Sequence, residues 1–74
     1  MNKSEEMTYM KVRLFRLAQQ RWGLGFKECG AFFKEHHIYD LVDKFYERFH
    51  VQGDEVNLDE IEEVIGMKKG EKKS

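Results

Sequence analysis

A helical rhythm of large side chains, with no proline to interrupt it, constrains this fold more than any other feature. Met7, Met10, Leu14, Leu17, Ala18 and Arg21 follow one another at spacings of three and four, with Phe15 and Trp22 on the shoulder of the same face. An α-helix turns ~100° per residue, so such a set makes one stripe along a cylinder, whereas a half-buried strand alternates every second residue. That alternation appears nowhere, and neither does an internal repeat or a low-complexity linker. Glycines and polar clusters must therefore end each segment.

Four helices follow. The first runs over about 4–22, with Asn2 or Ser4 as its cap and Glu5 three residues after Asn2, a capping-box spacing. Gly23 is its left-handed stop, and Leu24 is the apolar residue that folds back on the last turn. The second, over 26–36, is entered through Gly25 with Glu28 at its third position. His37 is placed to turn the chain with a positive φ, and Gly30 in mid-helix suggests another helix crossing closely there. The third covers 38–50 along Ile38, Leu41, Val42, Phe45 and Phe49, and Gly53 with Asp54 breaks it. The fourth covers 57–66, with NLDE from Asn57 as a capping box and Leu58, Ile61 and Ile65 as its seam. These short connections favour an all-α, compact orthogonal bundle of one domain over 1–66, followed by a frayed basic tail over 67–74.

Seventy-four residues stand near the lower limit for folding without staples. Ten rings, from Trp22, six Phe and three Tyr, offset that by burying much area per residue. Charge is nearly balanced, 13 basic against 14 acidic, so the basic excess of a nucleic-acid-binding domain is missing. Cys29 is the only cysteine, which excludes an internal disulfide and fits a reducing compartment. The first residues lack a signal-peptide pattern, and no apolar run approaches the ~18 residues of a membrane span. The chain reads as cytoplasmic.

The stretch FKECGAFFKEHH, positions 26–37, is the one place that looks like chemistry. On a helix, Phe26, Cys29, Gly30, Phe32, Phe33, His36 and His37 share a side, so Cys29 sits among phenylalanines. His36 lies seven residues from Cys29, ~10 Å along the axis, whereas ligands of one zinc lie within ~4 Å of each other. A Cys–His nucleophile fails similarly, because Cys29 has no neighbouring cation and no helix end to lower its pKa. The histidines suit the end of the helix dipole. The acids of GDEVNLDEIEE do not make a calcium loop either. Counted from Asp54, the third, fifth and sixth residues are Val56, Leu58 and Asp59. No catalytic residue, metal ligand or cofactor site emerges.

Two surfaces compete as binding sites. Lys11, Arg13, Arg16 and Arg21 on the first helix, with Lys68, Lys69, Lys72 and Lys73 in the tail, could meet nucleic acid. Against that, the recognition helix of a helix-turn-helix would expose Asp40, Asp43 and Glu47 to phosphates. On the third helix, Tyr39, Asp43, Tyr46 and His50 make a stripe beside the apolar seam, of the composition found at protein-binding surfaces. The competing reading packs that shoulder under the last helix or the tail.

Through RLFRLAQQRW, FKECGAFFKEHHIYDLV and FHVQGDEVNLDEIEEVI, about positions 10–65, the chain resembles a bacterial family, the domain of unknown function 3791 family. The resemblance rests on helix order, the aromatic-ended third helix and the following His-x-x-Gly, here His50 and Gly53. Gly25, where a Ser or Thr cap would be usual, and His37, where Gly or Asn often sits, depart from it. It implies a short single-domain protein without known enzyme activity, of a kind often encoded beside ADP-ribosyltransferase-like or toxin-like genes. The resulting expectation is a non-enzymatic protein–protein interaction module, antitoxin-like or accessory, with another protein as partner. A nucleic-acid-binding regulator is the alternative. So small a core also leaves rings such as Phe32 or Tyr39 near the surface, which is compatible with a homodimer.

Overall fold

The computed structural model describes residues 2–67 as five helices: α1 (Lys3–Trp22), α2 (Phe26–Glu35), α3 (Ile38–Lys44), α4 (Tyr46–Phe49) and α5 (Asp54–Val64). Among the described residues there is no strand. The chain is an all-α bundle in which α1 is the central rod, packed against α2, α3 and α5. Lys68 to Ser74, and with them most of the expected basic tail, lie outside the described residues.

The helix ends follow local chemistry. The Asn2 side chain accepts a hydrogen bond from the Glu5 N–H at 2.9 Å, which caps α1. At the other end Gly23 has φ 67°, and the N–H of Leu24 reaches back to the Gln19 carbonyl at 3.1 Å. The Glu28 carboxylate accepts from the Gly25 N–H at 3.1 Å, the reciprocal half of a capping box whose glycine offers no side chain. His37 adopts φ 53° between α2 and α3, the positive-φ turn its position suggests.

Met10, Leu14 and Ala18 from α1 meet Cys29 and Phe33 from α2, Ile38 and Val42 from α3, Tyr46 and Phe49 from α4, and Leu58 and Ile61 from α5. The rings interlock edge to face. Phe15 lies 5.1 Å from Phe33, and Trp22 lies 5.0 Å from Phe32. Arrangements of this kind add to plain area burial. They let a short chain close a core.

Two boundaries and one packing expectation differ from what the sequence suggests. The third helix does not run through to His50, because Phe45, at φ −105° and ψ 23°, divides it into α3 and α4. Neither Pro nor Gly marks the break. The last turn is instead held from outside: the Tyr46 hydroxyl bonds to Glu6, and the Phe49 carbonyl accepts from the Asn57 side chain. Second, α5 begins at Asp54, three residues earlier than the NLDE box implies, with Gly53 as its cap. Asn57 therefore lies inside α5, fully buried, and is not its N-cap. Its Nδ2 donates to the Phe49 carbonyl at 2.9 Å and its Oδ1 accepts from Gln52 at 2.7 Å. Asp54 and Glu55 then occupy the first turn, where acids suit the dipole. Third, no helix crosses closely at Gly30. A Cβ built there meets nothing within 4 Å.

Candidate functional site

The stripe on the third expected helix is split by the break at Phe45, and both halves turn toward α1. In the upper half, the Tyr39 ring lies 5.1 Å from Phe33 and remains 39% exposed. Lys11 of α1 binds Asp43 at 2.8 Å and lies 5.9 Å from the Tyr39 ring. In the lower half, Tyr46 and His50 stack at 5.2 Å with ring planes 9° apart. The Tyr46 hydroxyl donates to Glu6 of α1 at 2.5 Å, and Lys3 lies 5.4 Å from the Tyr46 ring. So both halves meet α1, the upper at Lys11 and the lower at Lys3 and Glu6, but not as four exposed side chains. Tyr46 is only 6% exposed, whereas Tyr39, Asp43 and His50 reach solvent. The element that covers Tyr46 is α1, through Glu6 and Lys3, and the expected tail lies largely outside the described residues.

Beside the Tyr46–His50 stack opens a groove of about 310 Å³ between α1 and α4. Glu6, Tyr9, Met10 and Arg13 form one wall, and Tyr46, Phe49, His50 and Gln52 the other. Hydrogen bonding to the Glu6 carboxylate pushes the Tyr46 hydroxyl pKa up, with burial and the negative charges of Glu6 and Glu47 adding to it. Arg13 is held at the mouth by Asp54, Nε to Oδ2 at 2.9 Å. Tyr9 and Gln52 are missing from the candidates that spacing picks out, and Arg13 enters there only as a cation for nucleic acid. Tyr9 alone left a signal, as a tyrosine on the polar side of the first helix.

The FKECGAFFKEHH stretch keeps its apolar character. Cys29 is fully buried, its Sγ 3.9 Å from the Phe15 carbonyl oxygen, and burial pushes its thiol pKa up, away from thiolate chemistry. His36 packs on Phe32 at 4.3 Å, and His37 faces Asp40 at 3.7 Å in solvent. Phe26 departs from the projected face: it is 74% exposed, with one edge on Phe15 at 5.5 Å. Among the described residues no three His, Cys, Asp or Glu side chains converge in a metal-holding group.

The cations of α1 are largely engaged across the bundle. Lys11 binds Asp43, Arg13 binds Asp54, and Arg21 binds Asp59 at 2.6 Å with Glu62 at 3.4 Å. The Glu62 carboxylate, itself buried, also accepts from the Trp22 indole at 2.7 Å. No helix among the described residues is long and apolar enough to cross a membrane. Comparison with protein-family models, with curated proteins and with solved structures finds no match.

Proposed function

We propose that this protein is a non-enzymatic, cytoplasmic protein–protein interaction module whose binding edge is the groove between α1 and α4, with Tyr39 and Asp43 at its upper end. The observation that carries this reading is the groove's lining: stacked Tyr46 and His50 facing an exposed Tyr9, with Arg13 at the mouth. Aromatic and arginine side chains around a concavity are the composition of binding hot spots. The Tyr46 and His50 rings are already fixed by the bond to Glu6 and by stacking, so these two have little rotamer freedom left to lose on binding. The nucleic-acid alternative draws less support, since Lys11, Arg13 and Arg21 would have to leave acidic partners to reach phosphates.

The resemblance to the domain of unknown function 3791 family adds an accessory or antitoxin-like role beside a neighbouring gene product. The test is co-purification of the chain with that product. Wild type is expected to retain it, His50→Ala and Tyr9→Ala to lose it. Retention by both variants would sink the groove. A mobility shift with duplex DNA or RNA at low salt, absent at high salt, would favour the alternative.

A further inference from the structure

We infer that α1 carries a second, self-complementary surface through which two copies of this chain pair as antiparallel helices. Seven charged residues lie on α1. Five of them have intramolecular partners: Lys3 with Glu47, Glu6 with Tyr46, Lys11 with Asp43, Arg13 with Asp54, and Arg21 with Asp59. Among the described residues the side chains of Glu5 and Arg16 have none, and both are exposed. These two bracket Tyr9 and Val12, which stay 52% and 45% exposed although both are large and apolar.

The order Glu5, Tyr9, Val12, Arg16 has spacings of four, three and four, so the four side chains share one sector of ~60° on the helix surface. That order is also its own charge complement when reversed. Positions 5 and 16, and positions 9 and 12, are symmetric about the midpoint between Met10 and Lys11. Two α1 helices related by a two-fold axis through that midpoint therefore place Glu5 of each copy opposite Arg16 of the other, twice. Tyr9 of each then meets Val12 of the other. An isologous dimer requires this self-matching. A helix stripe selected only for solvation has no reason to show it. Phe26, exposed beside Phe15 three residues after Val12, widens the apolar strip on one flank.

This rests on the reading of the chain as an interaction module and names one partner, a second copy. It uses a different sector of α1 from the groove, sharing only Tyr9. So small a strip belongs with weak, transient complexes, and self-association is expected at ~10–1,000 μM.

The experiment is sedimentation equilibrium of the full chain, alone and mixed. Wild type is expected to dimerise. Glu5→Arg and Arg16→Glu, each alone, set like charges opposite each other at both ends and should raise the dissociation constant roughly tenfold. An equimolar mixture of the two variants restores opposite charges at both contacts, so a heterodimer at least as tight as wild type should form. His50→Ala should leave self-association unchanged, which separates this dimer from the groove. Wild type that stays monomeric to ~1 mM would overturn the inference. So would a mixture that associates no better than its components. A wild-type dimer indifferent to both reversals and to Val12→Lys would use another face and would equally overturn it.

Discussion

Replacing Gly30 by alanine should stabilise this protein, although mid-helix glycine ordinarily suggests close packing. Gly30 lies inside α2, its backbone is helical, and a Cβ built on it meets no heavy atom within 4 Å. The steric term is therefore absent. What remains is propensity: glycine costs ~1 kcal/mol relative to alanine in a helix interior, mostly because it gives the unfolded chain more freedom. For a domain of this size ~1 kcal/mol corresponds to a rise in Tm of ~4–8 °C. Gly23 is the internal control. It too has nothing within 4 Å of an added methyl, but its φ is 67°, where an L side chain costs ~1–2 kcal/mol. Gly30→Ala and Gly23→Ala should thus shift the urea midpoint in opposite directions at unchanged m-value. Loss of stability in Gly30→Ala would refute the reasoning and mean that something packs against that spot.

Asn57→Ala removes both ends of a buried relay, leaving the Phe49 carbonyl without its donor, and should cost ~1–3 kcal/mol by chemical denaturation. Asn57→Asp should cost at least as much, since it loses the donor and adds a buried charge. The Cys29 thiol should react with a thiol reagent only as fast as the fold opens, and at the rate of a free thiol in urea. Stability should fall on the alkaline side. Cys29, Tyr39 and Tyr46 all have pKa values raised in the folded state, the thiol and Tyr39 chiefly by burial and Tyr46 chiefly by its bond to Glu6. Their contribution is complete below the unfolded values and fades as pH climbs through the folded ones, so urea midpoints should drop from about pH 9 upward.

Much of the fold is legible in the sequence because its signals are local. The three-and-four spacing from Met7 to Arg21 marks the buried face of α1, where Met10, Leu14 and Ala18 fill the core. Asn2, Gly23 and His37 declare their roles by what their backbones and short side chains can do. The burial of Cys29 follows from its phenylalanine neighbours. What stays hidden depends on partners far along the chain. Asn57 looks like a cap until Phe49 and Gln52 are brought to it, and nothing near Phe45 announces the break between α3 and α4. Tyr46 shares a stripe with Tyr39 and His50 by spacing, but a carboxylate forty residues away decides that it turns inward. Gly30 misleads for the same reason: its local cost is visible, whereas the open space above it is a property of the assembled bundle.

Our central proposal is that this protein acts through a binding edge on its surface, with Cys29 and the two histidines that follow α2 taking no chemical part. Calorimetric titration of the chain against the product of its neighbouring gene tests that claim most directly. The prediction is saturable binding that His50→Ala weakens by roughly tenfold or more, while Lys34→Ala, on the exposed side of α2, leaves it unchanged. Absence of binding, or equal affinity for wild type and His50→Ala, would contradict it.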